Sequence, residues 1–155
     1  MKIASFTHAG RTSYGVVAGD KVHDLGRQMG DRFPTVRRAI EGGAFASAAW
    51  SQAPAIALSE VTLLPPVTDP DKIICIGLNY RAHAAEGGFK VPEFPSTFVR
   101  ITNTLVGSGS PMILPKASSD YDYEAELAVI IGKPCRNVSP ERALEHVFGY
   151  SCFND

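Results

Sequence analysis

Short apolar runs, broken by glycines, prolines and polar pairs, recur along the chain and predict a mainly β protein with a few short helices. Residues 2–6, 14–18 and 21–24 read as strands, and Gly19-Asp20 suits a two-residue hairpin between the last two. Residues 34–40 read as a short helix stopped by Gly42-Gly43. Residues 44–58 are alanine-rich and carry no legible chemistry. Then Leu64-Pro65-Pro66-Val67-Thr68-Asp69-Pro70 places three prolines in seven residues, which neither a helix nor a central strand accepts. These patterns divide the chain into a small N-terminal α+β domain over 1–64, a linker over 65–71 and a second domain over 72–155.

The second domain opens with a buried-strand pattern, Lys72-Ile73-Ile74-Cys75-Ile76-Gly77. Asn79 is placed to cap a helix over 80–86 that Gly87-Gly88 ends. Residues 97–101 and 112–114 read as strands around a glycine-rich turn at 107–111. Residues 122–131 form the clearest strand pattern, rich in β-formers at its far end. Ser139-Pro140-Glu141 starts a helix whose apolar stripe is Ala143, Leu144, Val147 and Phe148, closed by Gly149. Residues 150–153 begin another strand.

Composition narrows the class. The chain has 155 residues, is 45% hydrophobic and 20% charged, and carries a formal net charge of -1, as a globular protein does. A near-neutral field gives no reason to expect nucleic acid or an anionic membrane as partner. No apolar run approaches the roughly 20 residues that span a bilayer. The first residues lack the apolar region of a secretory signal, and the expected location is cytoplasmic. Cys75, Cys135 and Cys152 form no CxxC pair and are expected to be buried, small apolar residues.

Chemistry concentrates in two places. In Asp122-Tyr123-Glu124-Ala125-Glu126, strand alternation puts Asp122, Glu124 and Glu126 on one face, with i and i+2 roughly 6.5–7 Å apart. Two glutamates at that distance can bend onto one hard divalent ion, for which magnesium, calcium or manganese is the natural choice. A third carboxylate from another strand is needed to complete such a site, and Asp155 is a candidate by position. The same spacing also fits a solvated face on an edge strand. On the helix over 80–86, His83 and Glu86 stand at i and i+3, where side chains meet. A carboxylate there fixes the imidazole tautomer and raises its basicity, which suits proton transfer or activation of water. By spacing alone, an exposed pair that only stabilises its helix is the more ordinary reading. His8, His23 and His146 have no such partner in sequence and read as surface or packing residues. No GxGxxG, P-loop, HExxH or GxSxG motif is present, and Ser108 and Ser110 belong to turn chemistry.

Three blocks taken together resemble a known family. The run from Lys72 through Gly77-Leu78-Asn79-Tyr80-x-x-His83-x-x-Glu86 looks like the opening motif of the fumarylacetoacetate hydrolase family. Leu105-Val106-Gly107, Leu114-Pro115 and Asp122 through Gly132 resemble its central motif. Gly149-Tyr150 followed by Asn154-Asp155 is similar to the next one. The resemblance implies a mixed β-roll preceded by a small, variable N-terminal domain.

It also implies a metal, Mg2+ or alternatively Mn2+ or Ca2+, held by Glu124, Glu126 and Asp155. It implies a catalytic His83–Glu86 dyad on a lid helix, with substrate contacts from Arg100, Tyr80 and Asn79. The implied substrate is a small keto acid. The implied reaction is hydrolysis of a C–C bond in a β-diketo or 2-keto acid of the acylpyruvate type. Oxaloacetate decarboxylation and hydroxydienoate isomerisation are alternatives within the family, and a non-catalytic fragment or assembly subunit is another. Arg100 stands where many members have lysine. Family chains continue well past the Asn-Asp pair and are usually dimers. The expectation is therefore a roll incomplete at its C-terminus, in a homodimer or completed by a further segment.

Overall fold

The protein is described from a computed structural model covering residues 1–46 and 49–155. Ser47 and Ala48, within the stretch read as alanine-rich and without chemistry, lie outside the described residues. The chain forms two compact units, residues 1–68 with 106–155, and residues 69–105.

The first unit begins with an antiparallel meander: β1 (Lys2–His8), β2 (Arg11–Ala18) and β3 (Lys21–Asp24). Gly19, at φ +61°, makes the expected hairpin, with Ala18 opposite Lys21. Strands β4 (Ala55–Ala57) and β5 (Thr62–Leu63) pair at the two edges, giving the order β4-β3-β2-β1-β5. Alternation along these strands separates two apolar clusters. Tyr14 and Val16 on β2 pack with Leu25, Val36 and Ala39 from α1 (Leu25–Met29) and α2 (Val36–Glu41). Phe6, Val22 and Ile56 form the other cluster, where the register sets Val17 opposite Val22 and Val22 opposite Ile56.

Helix α1 was not expected from the sequence. Buried Asp24 creates it by accepting the Arg27 backbone N–H at 3.0 Å, an N-cap on a helix too short to show periodicity. Helix α2 begins two residues later than predicted, capped by the Thr35 hydroxyl, and ends at Gly42 as expected.

The second unit, taken by itself, is a hairpin of β6 (Ile73–Gly77) and β7 (Ser96–Arg100), with α3 (Arg81–Glu86) in the connection. Asn79 does not cap α3. The N-cap position belongs to Tyr80 and carries no side-chain cap bond, while Gly87 closes the helix as predicted.

The remaining strands of the first unit are β8 (Ala125–Ile131) and β9 (Val147–Asn154), an antiparallel pair with an irregularity at Ile130/Ile131. Four expectations change here. Residues 112–114 form no strand, since Pro111 and Pro115 on either side lack the N–H that a ladder needs. Strand β8 starts at Ala125 rather than at 122, because the Tyr123 N–H bonds the Asp122 carboxylate at 2.8 Å instead of a neighbouring strand. The predicted helix after Ser139 is a 3₁₀ segment, Pro140–His146, with Leu144 74% exposed. Val147 and Phe148, expected on its apolar stripe, already belong to β9, where branched and aromatic residues pair with β8. Finally, Cys135 and Cys152 are exposed and Cys75 is half-buried, so none is a fully buried core residue.

Candidate metal centre

The β8–β9 register decides which acids can meet. Ala125 pairs with Asn154 and Glu126 with Phe153. One step further, the Asp155 backbone N–H donates to the Glu124 carbonyl at 3.0 Å, which sets Glu124 opposite Asp155. Directly opposed residues of an antiparallel pair project to the same face, and residues two apart on one strand do too. Glu124, Glu126 and Asp155 therefore spring from one face at one end of the strand pair. All three are half-buried, and Ala128, Ile130, Ser151 and Phe153 continue that face as half-buried positions. The other face exposes Leu127, Val129, Ile131 and Tyr150. Asp122 precedes the strand and is exposed.

Three carboxylates on a shared face offer six hard oxygens, the donor set that a divalent cation of the magnesium, manganese or calcium type takes. By donor chemistry and attachment point the residues fit such an ion. Their side chains are not drawn together around a single point: among the described residues no group of three or more His, Cys, Asp or Glu side chains is close enough to hold a metal.

The Glu124 peptide is held on both sides. Its carbonyl accepts from Asp155, and its N–H donates to the Asn154 side-chain oxygen at 2.7 Å. The same Asn154 amide donates to the Met112 sulfur at 3.3 Å. The sequence marked Asn154 only as a neighbour of Asp155. Its contact with Glu124 spans thirty residues of chain, and no local pattern announces it.

Two family models match the chain on either side of residues 67–71. Residues 72–155 match the model described as "Fumarylacetoacetate (FAA) hydrolase C-terminal", and residues 1–66 match "Rv2993c-like, N-terminal". The chain belongs to the fumarylacetoacetate hydrolase family. The mitochondrial oxaloacetate tautomerase fahd2 of Xenopus laevis is 43% identical over 97 residues, 63% of this chain and 30% of that protein. A fumarylacetoacetate hydrolase from Exiguobacterium antarcticum superposes with a TM-score of 0.78 at 34% identity, covering 100% of this chain and 55% of that one. A maleylpyruvate hydrolase from Sphingobium sp. SYK-6, solved with manganese(II) and pyruvate, gives 0.78 at 33% identity over 100% and 58%. The chain thus spans about a third of that curated relative and somewhat over half of these solved ones. The mainly β, roll-type fold expected from the sequence is the fold of these neighbours.

The other residues of interest in this family member lie in the second unit. Helix α3 carries His83 and Glu86 three apart, both exposed, while Ala84 between them is fully buried and anchors the helix. Asn79 and Tyr80 follow Leu78, whose φ of +53° places a branched side chain in the left-handed region. Such strain persists only where the surrounding structure enforces it, and it recurs at functional turns. Arg100, half-buried at the end of β7, pairs with Ile73 and sets its guanidinium 6.0 Å from the Phe98 ring centroid. Among the described residues, no helix is long and apolar enough to cross a membrane.

Proposed function

We propose that this chain carries the metal-binding strand pair of an enzyme that hydrolyses a C–C bond in a β-diketo or 2-keto acid of the acylpyruvate type. The observation that carries the reading is the register placing Glu124 opposite Asp155 with Glu126 on the same face. The Sphingobium relative, a maleylpyruvate hydrolase solved with manganese(II) and pyruvate, supports both the cation class and the substrate class.

Glu124, Glu126 and Asp155 are the residues proposed to hold Mg2+, with Mn2+ or Ca2+ as alternatives. A bound ion of this kind supplies Lewis-acid stabilisation of the negative charge that grows on keto-acid oxygens when a neighbouring bond breaks. His83 is the proposed proton carrier, through a ring nitrogen, and Glu86 the group that fixes its tautomer. Arg100 is proposed to pair with the substrate carboxylate, a contact suited to a guanidinium, and Asn79 and Tyr80 to hydrogen-bond the substrate. A homodimer, or a further polypeptide segment completing the roll, and a cytoplasmic location are part of the same proposal.

A second reading, keto–enol tautomerisation of oxaloacetate, is favoured by the 43% identity to the Xenopus tautomerase. It requires the same charge stabilisation without C–C cleavage. The deciding experiment supplies the purified protein with Mg2+ or Mn2+ and either an acylpyruvate or enol-oxaloacetate. Pyruvate release from the former supports hydrolysis. Conversion of enol-oxaloacetate to its keto form without loss of CO2 supports tautomerisation. Inertness towards both, with metal bound, removes both readings.

A further inference from the structure

We infer that Asn154 is a positioning residue for the carboxylate cluster, acting through the backbone of Glu124; the inference rests on the metal-site reading above. An antiparallel ladder passes each inward N–H to a carbonyl of the partner strand. At Glu124 the carbonyl keeps that bond, from Asp155 at 3.0 Å, but the N–H goes to the Asn154 side-chain oxygen at 2.7 Å. A side chain of β9 thus closes the ladder where the strand pair ends, and it does so at the peptide of one of the three acids.

The bond has a consequence for the acids. Glu124 lies outside β8, whose first residue is Ala125, so its φ and ψ are not set by regular pairing. Asn154 and Asp155 thus hold the two peptide groups that flank the Glu124 Cα, one through its N–H and the other through its carbonyl. With both groups fixed, the Glu124 Cα–Cβ direction is fixed relative to Glu126 on the same strand and Asp155 across from it. The Asn154 amide nitrogen meanwhile donates to the sulfur of Met112, tying the incoming segment to the same point. Asparagine suits this role because one side chain both accepts and donates. Alanine can do neither. Aspartate keeps the acceptor and loses the donor.

The test compares Asn154→Ala, Asn154→Asp, Glu124→Ala and the unaltered protein by two readouts. The first is amide hydrogen exchange at Glu124 without metal. Exchange about tenfold faster in Asn154→Ala than in the unaltered protein, and near the unaltered rate in Asn154→Asp, is expected. The second is Mn2+ affinity, followed by paramagnetic resonance of the free ion. Loss of a group that orients a metal ligand weakens affinity by about 10–100-fold, and Asn154→Ala is expected in that range with its circular dichroism unchanged. Unchanged exchange and unchanged Mn2+ affinity in Asn154→Ala overturn the inference while leaving the metal site intact, provided Glu124→Ala loses Mn2+. If the unaltered protein binds no Mn2+, the metal-site reading fails, and the exchange rates alone decide whether the clamp exists.

Discussion

Asp155 and Glu124 face each other across the end of β8 and β9, joined by a backbone hydrogen bond of 3.0 Å from the Asp155 N–H to the Glu124 carbonyl. Their carboxylates share a face with that of Glu126, and like charges so placed repel unless a cation or a proton intervenes. Removing one of these proposed ligands is therefore expected to cut divalent-metal affinity at least about tenfold, no less than loss of a group that only orients a ligand does at its lower limit. Glu124→Gln, Glu126→Gln and Asp155→Asn each keep size and shape, so the effect reports on charge. Calorimetric titration with Mn2+ measures it, and three variants that bind as the unaltered protein does would sink the shared site.

His83 and Glu86 lie on an exposed flank of α3, away from the buried Ala84. Substitutions there touch no core, and changes at such positions typically stay within about 0.5 kcal/mol of stability. His83→Ala and Glu86→Gln are expected to retain the melting temperature and Mn2+ affinity of the unaltered protein and to lose turnover by about 10²–10⁴-fold, the usual contribution of positioned acid–base groups. Loss of metal binding in His83→Ala would instead make the histidine a ligand.

Legibility in the sequence followed the range of the forces. The β3 hairpin and the closing glycines of α2 and α3 were readable because turn chemistry is local. Glu124 and Glu126 were placed on one face because alternation has a period of two, and the pairing of β8 with β9, extended one step by the Asp155–Glu124 bond, keeps them there; Asp122, expected on the same face, precedes the strand. Where a strand would begin was not readable. At Glu124 the decision lies with Asn154, thirty residues away, and at Val147 pairing with Ile131 of β8 outcompeted a local helical stripe. The small helix α1 escaped for a third reason: its stability comes from one buried carboxylate rather than from any repeating pattern.

That carboxylate yields a further prediction. Asp24 is 4% exposed, accepts the Arg27 N–H at 3.0 Å, and accepts the hydroxyl of Ser13, itself buried. Asp24→Ala removes an N-cap worth about 1 kcal/mol. It also leaves the Ser13 hydroxyl without its acceptor, at a further cost of about 1–3 kcal/mol. A total loss of about 2–4 kcal/mol in urea unfolding is expected. Asp24→Asn retains one acceptor oxygen and should lose less than half as much. Equal losses in the two variants would assign the effect to charge instead.

Tyr14 connects the same region to pH. Its hydroxyl donates to the Phe33 carbonyl at 2.7 Å, and the side chain is 2% exposed. Burial, reinforced by the neighbouring Asp24 carboxylate, pushes its pKa from 10.0 up to about 12. The unfolded chain then gives up this proton at a lower pH than the folded one. Stability from the neutral phenol is therefore fully present below pH 10 and is lost as pH rises towards about 12. Tyr14→Phe deletes both the bond and the titration. At neutral pH it is expected to cost about 1 kcal/mol, the net worth of an ordinary hydrogen bond. Across the alkaline window the unaltered protein should lose stability faster than the variant, so that the gap between them narrows. Parallel pH profiles of urea midpoints for the two proteins would show that the Tyr14 phenol ionises no later in the fold than in the unfolded chain.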